Sequence, residues 1–257
     1  MTKICDIYNY IETFAKSEFR EDFDNDGIML CKNASSPVKT AVVCLEINEQ
    51  CIDFASENKA QLIITHHPYI FRPLKHITGT EYSNTEKLMK NDISVISFHT
   101  RLDCAQGGVN DALAASLCLS DVMGFAGKTG HLGRIGKTDR EYSPLEFAEF
   151  IKEKLSCGAV RAAFPDKNMK IKTAAVLGGA GKDYIIEAKI SGADAYVTAD
   201  LSHNSFIDAK NLGLAIFDAG HYYTENVIVD ALMKKIGGNF SGVNFLSFDV
   251  KSPYINI

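Results

Sequence analysis

Two adjacent histidines, His66 and His67, end an apolar β-branched run in "LIITHHPYIF", residues 62–71. A strand that only fills a core has no use for two imidazoles where it enters a loop, because each buried imidazole needs a polar partner. One histidine that caps the strand and one that faces solvent would explain the pair without chemistry. A metal-binding or catalytic role is the alternative, and these ten residues alone leave both interpretations open.

Two further strand ends carry a histidine and a carboxylate. His99 and Asp103 follow one apolar run in "ISFHTRLD", and His221 and Glu225 follow another in "FDAGHYYTE". Open α/β sheets place their ligand sites at the carboxyl ends of the strands, where the adjacent histidines also fall. We therefore expect six side chains to converge in one crevice between two lobes: His66, His67, His99, Asp103, His221 and Glu225.

The donor types in this set favour a pair of metal ions. Neighbouring residues on a strand point to opposite faces, so adjacent histidines are poorly placed to share one ion and can each hold a different one. Imidazole and carboxylate suit zinc, iron or manganese, and the lack of a cysteine argues against a closed structural zinc site. Two ions bridged by a carboxylate and a water would activate that water, so hydrolysis is the expected reaction class.

Three other segments have weaker patterns. "GKT" occurs twice, at 127–129 and 136–138, but without the first glycine of a P-loop, which argues against a Walker nucleotide site. The backbone of "GGAGKD" at 178–183 could hold an anion, or its glycines could simply make a turn. In "TADLSH", Asp200 and His203 could support the site or cap a helix.

Composition restricts the class of protein. The 257 residues are 46% hydrophobic with a net charge of -5 and no long Lys/Arg cluster, which indicates a globular protein and argues against a nucleic-acid or membrane-surface partner. No apolar run approaches the roughly 18 residues of a membrane span. The seven cysteines are scattered and never spaced as C-x-x-C, a pattern typical of reduced thiols in a cytoplasmic protein. The pattern of apolar and acidic residues at the N-terminus predicts an amphipathic helix rather than a signal peptide.

Strand and helix patterns alternate along the chain, which predicts βαβ units, an α/β fold and mainly parallel sheets. A shift of 133 residues superimposes "KTAVVCLEI" on "KTAAVLGGA", with eight identities in 27 ungapped positions. Shared strand composition could produce such a match, but the strand–helix order continues in step beyond it. We predict two similar lobes, residues 1–125 and 126–257, related by internal duplication. Interlacing of the lobes as one structural unit is the alternative.

Five ordered motifs resemble the NIF-three-like family, also called GTP cyclohydrolase 1 type 2 homologues. They are "EDFDNDGIML", "ITHHPYIF", "SFHTRLDCAQGGVND", "LGRIG" and "GHYYTE", and together they cover nearly the whole chain. The resemblance implies a NIF-three-like fold with two lobes around a central metal crevice, commonly assembled as a toroidal homohexamer. Where many relatives have T-G-D, this chain has "TAD" with Ala199, and it has no room for the inserted domain of longer relatives.

The resemblance also implies a role for each site residue. It places His67 and Asp103 on one metal, His66 and His221 on the other, and Glu225 as the bridge between two divalent ions per chain, of zinc, iron or manganese. It leaves His99 beside the centre as a proton shuttle or water-positioning residue. The catalytic residues would be His99 and Glu225.

The expected function is metal-dependent hydrolysis of a nucleotide or related small molecule in a cytoplasmic homo-oligomer. The family name implies opening of the guanine imidazole ring of GTP, although no residue pattern identifies a purine pocket. Phosphoester hydrolysis would use the same ligands. A non-catalytic metal-binding scaffold, metal-handling or regulatory protein is the alternative from another class.

Overall fold

The computed structural model describes residues 1–256. Its α-helices are α1 (Ile4–Glu12), α2 (Glu49–Glu57), α3 (Gly79–Lys90), α4 (Thr100–Cys104), α5 (Val109–Ser116), α6 (Pro144–Leu155), α7 (Ile185–Ile190), α8 (His203–Asn211), α9 (His221–Glu225) and α10 (Val227–Gly237). Its strands are β1 (Gly27–Leu30), β2 (Thr40–Cys44), β3 (Leu62–Thr65), β4 (Ser94–Ser97), β5 (Ser120–Phe125), β6 (Gly133–Tyr142), β7 (Arg161–Ala163), β8 (Ile171–Ala180), β9 (Ala195–Ala199), β10 (Ala215–Asp218) and β11 (Asn244–Phe248).

The chain divides into two compact units whose bounds differ from the predicted lobes. The first unit comprises Met1–Leu102 and Val229–Val250, and the second comprises Asp103–Ile228 with the residues from 251 onward. The predicted boundary at 125/126 falls between β5 and β6, which are hydrogen-bonded neighbours within the second unit. The chain returns to the first unit because β11 adds to the edge of its sheet, beside β2.

The first unit contains a five-stranded sheet in the order β1-β4-β3-β2-β11. Every pairing is parallel except that of β1 with β4. All four residues of β3 and of β4 are buried, as expected for central strands of a parallel sheet. The predicted amphipathic N-terminal helix is α1, which buries Ile4, Ile7 and Ile11.

The second unit contains a six-stranded sheet in the order β5-β6-β8-β9-β10-β7. Only the β8-β9-β10 pairings are parallel, and the other three are antiparallel. The α/β class is confirmed, but this sheet is mixed because the β5-β6 hairpin and the short β7 extend its parallel centre. Helix α6 begins where Ser143 and Pro144 predict it, and Ser143 forms a capping box with Glu146.

The register of the two sheets supports internal duplication. Ala41 pairs with Leu62 in the first unit, and Ala174 pairs with Ala195 in the second, 133 positions along in both strands. Gln61 accepts hydrogen bonds from the backbone N–H groups of residues 39 and 40 (2.7 and 3.1 Å). The Asp194 carboxylate, again 133 positions on, accepts from residues 172 and 173 (2.9 and 3.0 Å). Both side chains brace the start of the preceding strand.

At the predicted site, the structural correspondence between the two units differs by one residue from the predicted match of His99 with His221. The backbone N–H of Phe98 donates to Thr65, and the N–H of Ala219 donates to Thr198, so residue 98 corresponds to residue 219. On that correspondence His221 matches Thr100, not His99. The histidine–carboxylate segments of the two units are therefore similar rather than superimposable.

Within residues 1–256, no helix combines the length and the apolar character that crossing a bilayer requires.

Candidate functional site

The adjacent histidines lie beyond the strand that precedes them. Strand β3 ends at Thr65, whose hydroxyl donates to the carbonyl oxygen of His67 (2.8 Å) and turns the chain. Alternation of side chains along a strand therefore does not apply to His66 and His67, and their ring centroids lie 5.2 Å apart. Strand geometry therefore does not favour separate ions for His66 and His67, and the two-metal assignment depends on the family resemblance.

His99 joins these two residues in the first unit. Its ring centroid lies 5.2 Å from that of His66 and 5.9 Å from that of His67. One nitrogen from each ring lies within 4.8 Å of the others, so the three imidazoles can hold a metal ion. His66 is buried and the other two are partly buried. The three histidines therefore lie close together within this unit.

Each of the three rings is oriented through its Nδ1 atom. Nδ1 of His66 lies 3.0 Å from the carbonyl oxygen of Phe98, Nδ1 of His67 lies 3.1 Å from Glu46, and Nδ1 of His99 lies 2.7 Å from Asp24. Because the acceptors are oxygens, the proton is assigned to Nδ1 and the lone pair to Nε2. Metal-binding histidines are oriented in this way by carboxylates and carbonyls. No sequence pattern predicted the role of Glu46, which lies 20 residues before His66.

Asp24 belongs to the early "EDFDNDGIML" motif and orients the His99 segment. Its carboxylate accepts from Nδ1 of His99, and from the backbone N–H (3.0 Å) and hydroxyl (2.6 Å) of Thr100. Burial of this carboxyl raises its pKa, but the hydrogen bonds and charge of His99 and the Thr100 hydrogen bonds together lower the pKa to about 2. Asp24 is therefore a carboxylate at neutral pH.

Asp26 and Arg101 form a second connection between this motif and the start of α4. The buried Arg101 guanidinium donates to Asp26 (2.8 Å), to the hydroxyl of Tyr8 (3.2 Å) and to Glu12. It also lies 4.4 Å from the ring centroid of Phe98. Burial raises the pKa of the Asp26 carboxyl, while the Arg101 charge opposes that rise. Asp24 and Asp26 of the early motif therefore hold residues 98–101 in position.

Asp24→Asn is expected to loosen the orientation of His99. The amide removes the negative charge that holds the proton on Nδ1, so the fraction of the Nδ1–H tautomer of His99 should fall, as measured by ¹⁵N–¹H NMR. Any turnover that depends on His99 should fall about 10- to 100-fold, the usual range for a residue that orients a ligand or catalytic group. Glu57→Gln, at an exposed carboxylate on α2, is the matched control. An unchanged His99 tautomer would contradict the orienting role.

In the second unit, His221 and Glu225 lie one helical turn apart on α9. Nε2 of His221 lies 2.9 Å from Oε2 of the buried Glu225, and Nδ1 lies 2.7 Å from Asp200. Asp200 therefore orients a predicted ligand, which was one of its two proposed roles. The helix-capping role belongs to Ser202, which accepts from the backbone of Ser205 and begins α8 at His203.

Asp103 is buried on α4, and one of its carboxylate oxygens lies within 4.8 Å of one from Glu225. The "LGRIG" motif supports that helix. Arg134 donates to the carbonyl oxygens of Cys104 and Ala105, both at 3.0 Å, at the C-terminal end of α4. A cation at this end also interacts favourably with the helix dipole. The central motif therefore supports the helix that carries a predicted ligand.

The glycine turn after β8 makes room for Glu225. A Cβ atom on Gly178 would lie 3.0 Å from Cγ of Glu225, and a Cβ atom on Gly179 would overlap the Glu225 carboxylate and lie 2.9 Å from Nε2 of His221. The backbone N–H of Gly178 donates to Asn110 (2.8 Å), and that of Gly179 donates to Thr224 (3.0 Å). These N–H groups bind protein side chains rather than an anion, so the turn interpretation is confirmed.

In each unit, the donor atoms described above are of types that bind divalent cations. The first unit presents three imidazoles, and the second presents one imidazole and two buried carboxylates. Two carboxylates within 4.8 Å of each other repel, and a cation between them relieves that repulsion. Nitrogen and oxygen donors without a thiolate suit zinc, iron or manganese.

Comparison with known proteins gives consistent matches over the chain. Residues 2–253 match the family described as Duf34/NIF3 (NGG1p interacting factor 3). The chain is 34% identical to the GTP cyclohydrolase 1 type 2 homolog of Clostridium perfringens, over 98% of both chains. It is 32% identical to the protein of the same name from Clostridium acetobutylicum, over 92% of this chain and 90% of the relative. A Bacillus cereus protein related to NIF3 has the same fold, with a TM-score of 0.93, 24% identity, and coverage of 100% of this chain and 99% of that chain.

Proposed function

This chain belongs to the Duf34/NIF3 family, and we propose that it binds two divalent metal ions and hydrolyses a nucleotide or related small molecule. The proposed ligands are His66, His67, Asp103, His221 and Glu225, with Glu225 as the bridge. The proposed assembly is a homohexamer in the cytoplasm.

One observation carries the metal-binding proposal. Every histidine of the predicted site has its Nδ1 atom within 2.7 to 3.1 Å of a carboxylate or a carbonyl oxygen. For His66, His67 and His99 this assigns the lone pair to Nε2. Nε2 of His221 also faces a carboxylate, that of Glu225, at 2.9 Å. A histidine that only fills a core needs one polar partner, but it has no need of the same tautomer as two other histidines. Common orientation of this kind is typical of metal-binding histidines.

The residues around the ligands suit a hydrolytic reaction. When bound, divalent ions of this kind supply Lewis acidity and lower the pKa of a coordinated water. His99 presents Nε2 as a proton acceptor, because Asp24 holds the proton of Nδ1 and stabilises the imidazolium that forms when Nε2 is protonated. This arrangement supports the proposal that His99 acts as a proton shuttle beside the ligands.

The test is a substrate screen of the wild-type protein and Glu225→Ala, each loaded with zinc, manganese or iron. GTP, other nucleotides and simple phosphoesters should be compared, and the products identified by mass spectrometry. Ring opening or phosphate release that disappears in Glu225→Ala supports the hydrolase. Turnover that is equal in both proteins would place the activity elsewhere, and metal binding without turnover would favour the scaffold alternative.

Removal of the metal is expected to lower the melting temperature. An ion that binds only the folded chain stabilises it by mass action, about 2.7 kcal/mol when its concentration is 100-fold above Kd. The chelated protein should therefore melt several degrees lower than the loaded protein, and added zinc or manganese should restore the difference. Differential scanning calorimetry across a metal titration measures this shift. A melting temperature independent of metal concentration would contradict binding to the folded state.

A further inference from the structure

The segment that follows the adjacent histidines is a long exposed connection, from Pro68 to Thr78, between β3 and α3. The whole connection, residues 66–78, has thirteen residues without regular secondary structure, a length at which loops are uncommon and often functional. Residues 71–80 are all exposed. We call residues 68–78 the basic loop because it contains Arg72, Lys75 and His76.

The basic loop is anchored beside the histidine cluster. The ring centroid of Phe71 lies 5.8 Å from that of His99, with the rings edge to face. The carbonyl oxygen of Ile70 accepts from the side chain of Asn25, which lies between Asp24 and Asp26 in the early motif. The hydroxyls of Tyr69 and Thr85 are 2.9 Å apart and connect the start of the loop to α3. The loop therefore begins next to the proposed proton shuttle.

The charge of the basic loop is opposite to that of the chain. The net charge of the protein is -5, yet residues 62–80 contain no aspartate or glutamate. Arg72 and Lys75 form no ion pair with a carboxylate in the described part of the chain, so their charges are available to a ligand. The loop also exposes Phe71, Leu74 and Ile77, which are 40, 46 and 50% exposed as whole residues. Unpaired cations beside exposed apolar side chains fit a ligand that carries both an anionic group and a ring.

From this arrangement, we infer that the basic loop selects the substrate of the proposed hydrolase, and that Arg72 and Lys75 bind phosphate groups while Phe71 contacts the ring. The inference rests on the proposed function and adds the residues that recognise a phosphorylated substrate with an apolar or heteroaromatic ring. Arginine binds phosphate through its planar fork, and lysine binds it as a point charge. Bound phosphate would then lie on the same unit as His99.

The test uses isothermal titration calorimetry of the metal-loaded protein with GTP and with guanosine as the uncharged probe. Wild type should bind GTP more tightly than guanosine, and Arg72→Gln/Lys75→Gln should lose about tenfold or more in GTP affinity, because each lost charge-assisted hydrogen bond weakens binding substantially. Guanosine affinity should not change with these two substitutions. Phe71→Ala should weaken both probes.

Lys39→Gln/Lys59→Gln is the matched control, since it removes the same charge from exposed positions at the opposite end of the parallel strands. If the control and the loop variant lose equal affinity for GTP, the inference is overturned. It is also overturned if wild type binds GTP no better than guanosine, or if the loop variant changes only the oligomeric mass measured by light scattering.

The two proposals fail in different ways. Turnover of a phosphorylated substrate that is unaffected by the loop variant would keep the hydrolase and overturn the inference about the loop. Loop-dependent GTP binding without turnover of any substrate would support the phosphate site and count against hydrolysis.

Discussion

Glu225→Ala is expected to remove most of the metal bound to the purified protein. The substitution takes a carboxylate from a position 2.9 Å from Nε2 of His221 and within 4.8 Å of Asp103. In the proposed assignment Glu225 is shared by both ions, so its loss weakens the binding of both ions at once. Loss of a ligand that binds only one ion would leave the other ion bound. Metal analysis by mass spectrometry, after dialysis against metal-free buffer, measures the number of ions per chain.

Two comparisons separate loss of a ligand from loss of structure. The wild-type and Glu225→Ala proteins should differ much more in melting temperature when loaded with metal than after chelation, because only the loaded form contains the bond that is removed. Glu187→Ala, at an exposed glutamate on α7 in the same unit, should retain its metal. Retention of two ions per chain in Glu225→Ala would reject the bridging role.

The sequence predicted the histidine cluster because its signal is local. His66, His67 and His99 each follow an apolar run of strand length, and parallel neighbouring strands bring their carboxyl ends to one edge. Register therefore determines proximity: Thr65 pairs with Ser97, so the residues that follow the two strands must lie close together. No long-range information was required.

The residues that orient the histidines could not be found in the same way. Asp24 and Glu46 lie in irregular segments, where no periodicity constrains the direction of a side chain. Their contacts with His99 and His67 span 75 and 21 residues of sequence and arise from the path of two loops. Asp200 was recognised as a candidate only because it follows a strand, like the ligands themselves.

The sheets likewise contain strands that the local sequence pattern predicts and strands that it does not. The βαβ core of each unit was predictable, since buried parallel strands have continuous apolar sequences. Strands at the edges have weaker signals: β5 is largely exposed and β11 is only partly buried, so neither has the composition of a core strand. The return of the chain to the first unit depends on β11, and its partner β2 lies roughly 200 residues earlier, beyond the reach of local pattern.

Gly179→Ala is expected to disrupt the carboxylate side of the site while the fold is retained. Gly179 has a φ of +66°, and a Cβ atom there would overlap the Glu225 carboxylate. The added methyl group must displace Glu225, the backbone at the end of β8, or both. Displacement of a shared ligand should reduce metal affinity by about 10- to 100-fold, the range found when support for a metal ligand is lost. A metal titration followed by calorimetry measures this change.

Backbone strain must be separated from the clash, and Gly192 provides the control. It has a φ of +90° in the same unit, and a Cβ atom there meets nothing within 4 Å. Both alanine variants should lose about 1 kcal/mol of unfolding free energy, because an L-residue is strained at positive φ. Only Gly179→Ala should lose metal affinity as well. If the two variants bind metal with equal affinity, Gly179 serves only the turn. If only Gly179→Ala loses metal affinity, the site requires the close approach of the backbone to Glu225.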